Sequence, residues 1–181
     1  MSKQAGRMSQ SSNDFLAPYA PTIGTATDVG TNRAYNDGAA TVTFTAPASN
    51  GSNFAVTSFT VTSSPGGFTA SGASSPLTVT GLQSNVAYTF TAVATNSAGD
   101  SPASAASNSI TATTVPEAPT VSAANVGTGR AYNNGAATIT ASGGATGGSA
   151  ITSYTATSSP SSFTSKLGLH QNLGFPSKLQ T

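Results

Sequence analysis

The chain has 181 residues and a mass of 17.7 kDa, with a formal charge of +1 and only 6% charged residues, against about 25% in an ordinary globular chain. Five acids, six bases, one histidine and no cysteine leave little for acid–base pairs, metal shells or an activated nucleophile. The chain is therefore read as no enzyme, with no catalytic residue, no metal site and no cofactor.

The same inventory narrows the partners. Its arginines, Arg7, Arg33 and Arg130, are scattered, whereas phosphate binding needs clustered cations, so nucleic acid is not expected. No run approaches the roughly 20 apolar residues of a membrane-spanning helix, so no membrane partner is expected either. Hydrophobic residues make up 36% of the chain, which together with low net charge points to folding rather than disorder.

In chain order, residues 1–17 form an N-terminal arm. It is polar over its first fourteen residues, carries Lys3 and Arg7, and lacks the apolar stretch of about 7–15 residues that a secretory signal needs. Export by the usual route is not expected. Period-two patterning then begins: Thr-Val-Thr-Phe-Thr at 41–45, Phe59-Thr60-Val61, Leu77-Thr78-Val79 and Tyr88-Thr89-Phe90-Thr91-Ala92. Such alternation, rich in Thr, Val and aromatics, predicts half-buried antiparallel strands. Asn36-Asp37-Gly38, Asn50-Gly51, Pro65-Gly66-Gly67 and Ala98-Gly99-Asp100 supply the turns between them.

The pattern then repeats. Pro21-Thr22-Ile23 returns as Pro119-Thr120-Val121, Arg33-Ala34-Tyr35-Asn36 as Arg130-Ala131-Tyr132-Asn133, and Thr57-Ser58-Phe59-Thr60 as Thr152-Ser153-Tyr154-Thr155. The offset drifts from 98 to 97 to 95, a domain-sized period rather than a solenoid period. Several short, turn-punctuated strands per copy argue an all-β chain built on β-sandwiches.

Residues 18–114 resemble a fibronectin type III domain of the bacterial and bacteriophage kind. The resemblance rests on Pro18-Tyr19-Ala20-Pro21, Val42 and Phe44 ahead of Pro47, Phe59 and Val61, Gly81-Leu82 six residues before Tyr88, then Phe90, Ala92, Ala94, Asn96, Gly99 and Ile110. It implies that the Tyr88 hydroxyl bonds back across a corner and that Leu82 packs beneath it. Phe44 and Phe59 stand where animal members carry Trp and Tyr, which removes any analogy with animal adhesion domains. Ala98-Gly99-Asp100-Ser101 lacks the arginine of an integrin-type motif.

Residues 115–164 form a partial second repeat, and the counterpart of residues 70–114 is missing from the sequence. A divergent C-terminal tail, 165–181, holds the histidine, two of the three lysines and four of the seven leucines. Two origins stay open: a change of reading frame near codon 165, or a dedicated C-terminal arm. The expected fold is thus a fibronectin type III-like β-sandwich, a truncated second copy and a short tail. A half-sandwich exposes an apolar face and unpaired strand edges, which invite pairing with another chain. Leu167, Leu169, Leu173 and Phe175 are the residues expected to become buried in an assembly.

Arg33 with Tyr35 and Arg130 with Tyr132 recur in both copies, each before a Gly-containing turn. They are candidate partner-docking residues, weighed against a local role in which Arg stacks on Tyr and bonds nearby carbonyls. Asp28, Asp37 and Asp100 are read as solvated turn acids rather than calcium ligands. His170 has no second metal-ligating neighbour, and Asn50-Gly51-Ser52 is read as a turn rather than a glycosylation site. The function these features imply is a non-enzymatic structural protein of the bacteriophage virion, a capsid or tail decoration subunit. Its expected partners are other virion proteins and further copies of itself, docked through the partial repeat and termini. The alternative is a bacterial surface adhesion module that binds a host glycan or a protein.

Overall fold

The computed structural model describes residues 16–47, 54–126, 129, 136–159, 164–168 and 177–178, with 165–168 and 177–178 as backbone alone. The described chain is all-β. Its first unit runs β1 (Thr22–Asp28), β2 (Gly38–Thr45), β3 (Ser58–Ser64), β4 (Thr69–Gly72), β5 (Leu77–Leu82), β6 (Ala87–Asn96), β7 (Gly99–Asp100) and β8 (Ile110–Thr111). One sheet has the order β1-β2-β5 and the other β4-β3-β6-β7, with β8 also paired to β6. This is the two-sheet sandwich that the alternating pattern implies.

Alternation decides which side chains meet between the sheets. Val42 and Phe44 from β2, Val79 and Leu82 from β5, Phe59 and Val61 from β3, and Tyr88, Phe90, Ala92 and Ala94 from β6 are all buried. Phe44 and Phe59 stack in a tilted pair with centroids 4.9 Å apart, so two phenyl rings bridge the sheets. The Tyr88 hydroxyl accepts a hydrogen bond from the Gln83 N–H at 3.0 Å, and Leu82 is fully buried. The corner implied by the resemblance is therefore present.

The second unit runs β9 (Thr120–Asn125), β10 (Ala137–Ser142), β11 (Ser153–Thr157), β12 (Thr164–Gly168) and β13 (Ser177–Lys178). Its sheets are β13-β10-β9 and β11-β12. The first drift in the repeat offset has a structural cause. In β1 Ile23, opposite Phe44, and Ala26, opposite Val42, are three positions apart where their partners are two apart, which is a bulge; β9 pairs Val121 with Ala141 and Ala123 with Ile139 without one.

Two expectations about the tail change. The composition break at Ser165 is not a structural boundary, because β12 crosses it in the register of β4: Tyr154 faces Leu167 as Phe59 faces Gly72. Ser177 and Lys178 then pair with Ile139 and Thr138 where Leu77 and Thr78 pair with Val42 and Thr41. The tail thus supplies two residues at the place of β5, and among the described residues it is the counterparts of β6, β7 and β8 that are lacking.

Candidate functional site

Arg33 and Tyr35 lie in the loop between β1 and β2, at the end of the sandwich where the chain leaves for the second unit. The Arg33 guanidinium donates to the Asp37 backbone carbonyl and pairs with the Asp37 carboxylate at 2.7 Å. The Arg33 carbonyl accepts the Val115 N–H at 2.9 Å. Asn36 and Ser84 exchange two hydrogen bonds, the Ser84 hydroxyl accepting the Asn36 N–H and Asn36 Oδ1 accepting the Ser84 N–H. Ser84 Oγ also meets the buried Thr114 Oγ1 at 2.5 Å. The loop therefore braces the connection between the units.

From the other side, Thr114 donates its N–H to Gly147 and Glu117 donates to Ala145. Gly147 has φ +69°, and a Cβ there would lie 2.5 Å from the Val115 carbonyl oxygen. The close approach and the left-handed backbone both require glycine. Arg130 and Tyr132 lie outside the described residues, as do Leu169, Phe175, Leu173, His170 and Asn50; the Leu167 side chain does too.

The acids have defined partners rather than solvent alone. Asp28 accepts hydrogen bonds from Gly30 and from both the N–H and hydroxyl of Thr113. Asp100 accepts one from Thr95 Oγ1 at 2.6 Å. Among the described residues no three His, Cys, Asp or Glu side chains group as metal ligands, and no helix is long and apolar enough to cross a membrane.

The second unit holds a cavity of about 720 Å³ between its two sheets. Val121 and Ala123 from β9, Ile139 and Ala141 from β10, and Tyr154 and Ala156 from β11 line it. In the first unit the corresponding space is filled: Val42 and Val61 are fully buried beneath Phe90, Ala92 and Ala94. Here Val121 is 62% exposed, and Ile139 and Tyr154 are half-buried. Ala141 and Ala156 stand at the register positions of Phe44 and Val61, which widens the space further.

Edges differ in the same way. In the first unit β3 pairs with β4 on one side and β6 on the other; β11 pairs with β12, and no described strand occupies its other edge. The closed edge of β6 shows what the sequence pattern did not disclose. Ser101, Ser104 and Ser107 donate their N–H groups to Ala94, Ala92 and Phe90, and their hydroxyls accept the N–H groups of the same three residues. Their spacing of three was the available signal, since it fits neither a strand nor a random loop.

A family model described as Fibronectin type III domain matches residues 25–110. This segment is a fibronectin type III domain. Solved structures similar to the chain include domains of titin, at 22% identity over 52% of this chain and 32% of that one, with a TM-score of 0.43. The twitchin kinase region from C. elegans matches at 21% identity over 53% and 17%, with a TM-score of 0.41. The FN1–FN3 domains of chicken CNTN1 match at 22% identity over 67% and 41%, with a TM-score of 0.40. The chain spans a third or less of the length of the first of these, the titin and twitchin structures. No curated protein matches its sequence.

Proposed function

We propose that the chain is a non-enzymatic structural subunit that displays its fibronectin type III domain and docks through its second unit, in the manner of a bacteriophage capsid or tail decoration protein. One observation carries this reading: a closed sandwich is joined through a braced connection to a second unit whose apolar interior and strand edge are open among the described residues. The closed unit supplies a stable body, and the open one supplies a surface that association would cover. The scarcity of ionisable side chains favours a binding role over a chemical one.

Mass spectrometry of purified phage particles from the source of the sequence tests the reading. The chain should be recovered in fixed ratio to the principal capsid or tail protein, resistant to washing in moderate salt. Its confinement to particle-free fractions, together with saturable binding to one glycan on an array, would replace this reading with the adhesion alternative.

A further inference from the structure

We propose that the edge of β11 left open among the described residues is a receptor for an extended strand from another polypeptide, with the uncharged, alternating apolar chemistry of β6, Ala-Tyr-Thr-Phe-Thr-Ala-Val-Ala-Thr-Asn. The inference rests on the reading of the second unit as the docking element and specifies how it docks. The occupant is identified by the molecule's own first unit. There, β6 lies antiparallel to β3 with Phe59 opposite Ala94, Val61 opposite Ala92 and Ser63 opposite Phe90. β11 repeats β3 in sequence, Ser-Tyr-Thr-Ala-Thr against Ser-Phe-Thr-Val-Thr, and keeps its register with the neighbouring β12. A strand of β6 type on β11 would set its alanines opposite Tyr154 and Ala156.

The side-chain chemistry agrees with this occupant. Among the described residues no Asp, Glu, Lys, Arg or His lines the cavity, so a charged strand would lose hydration without gaining a partner from them. Alanine at 156, where the first unit has Val61, adds room beside the position of Phe90, one step along the same face. Backbone direction follows from alternation. Phe90, Ala92 and Ala94 turn their amides towards the serine segment, so Thr91, Val93 and Thr95 turn theirs towards β3. The same alternation puts the Thr155 and Thr157 amides on the open side of β11, and those of Tyr154 and Ala156 towards β12.

The test adds a synthetic peptide of residues 87–96 to the full chain and reads binding by fluorescence anisotropy and amide hydrogen exchange. Saturable binding is expected, with exchange slowed at Thr155 and Thr157 and little changed at Tyr154 and Ala156. N-methylation of the peptide at Val93 should abolish binding, whereas N-methylation at Ala92, on the outer edge, should retain it. These variants alter only the peptide, so the fold of the protein is not at issue. Absence of binding, binding without that alternating protection, or indifference to the Val93 methyl group overturns the proposal. So does protection of Thr155 and Thr157 that rises with protein concentration while the peptide has no effect, which would assign the edge to a second copy. Particle recovery and peptide binding are separate measurements, so failure of the strand inference and failure of the reading it rests on are told apart.

Discussion

Ser104 and Ala92 are joined twice: the Ser104 N–H donates to the Ala92 carbonyl and the Ala92 N–H donates to Ser104 Oγ, each at 2.9 Å. The serine side chain stands in for the strand carbonyl that a regular neighbour would present. Repeated at Ser101 and Ser107, this seals the edge of β6 with a segment that is not itself a strand over that stretch, and a sealed edge offers no template for a further chain.

Replacing Ser104 by Ala leaves the buried Ala92 N–H without its acceptor. The expected loss is about 1–3 kcal/mol of first-unit stability, read from urea unfolding midpoints. Ser107 is less buried, so Ser107→Ala should cost less than Ser104→Ala. Equal and negligible effects at both sites would show that the backbone bonds alone hold the edge.

Tyr88 separates packing from hydrogen bonding at one position. Its ring is buried against Phe68 and Phe90, and Tyr88→Phe keeps the ring while removing the acceptor for Gln83. A loss of about 0.5–1.5 kcal/mol is expected. Phe90→Ala, which empties the centre of the sandwich, should cost about 3–5 kcal/mol. Calorimetry of the two variants checks the order, and a Tyr88→Phe cost as large as that of Phe90→Ala would contradict it.

Gly147 governs the connection between the units. An alanine there would be held at a φ that costs an L residue about 1–3 kcal/mol, with its Cβ against the Val115 carbonyl. Gly147→Ala should speed amide exchange at Thr114, whose N–H bonds Gly147, while leaving the protection of Ala92 and Val93 unchanged. Unaltered exchange at Thr114 would mean that the connection is held from the first unit alone.

Arg33 and Asp37 form an ion pair with both side chains substantially exposed, 37% and 49%. Exposed pairs contribute at most about 1 kcal/mol and are screened by salt. Arg33→Ala should therefore change stability by less than about 1 kcal/mol, and raising the salt concentration should shrink that difference. A larger, salt-insensitive loss would point instead to the bond between the guanidinium and the Asp37 carbonyl.

Much of the architecture was legible because strand alternation is a local signal. Val42, Phe44, Phe59, Val61, Tyr88 and Phe90 fall on one face by counting in twos, and the corner at Tyr88 was implied by the resemblance to fibronectin type III domains. The internal repeat announced the second unit in the same way. The candidate site was legible only in outline. An incomplete copy implied an open face, but the tail's composition concealed that residues 164–168 continue β12 in register and that Ser177 and Lys178 reach β10.

Sequence by itself determined the periodicity, the repeat and the shortage of reactive groups, because each is a property of neighbouring residues. Tertiary structure alone decided where single polar groups act: Arg33 turned onto Asp37, Asp28 onto Thr113, the serines onto β6, and the edge of β11 left open among the described residues. Those outcomes depend on which distant backbone groups lack partners after the sheets have formed. A hydrogen bond between residues 85 positions apart, as between Asp28 and Thr113, leaves no periodic trace in the chain.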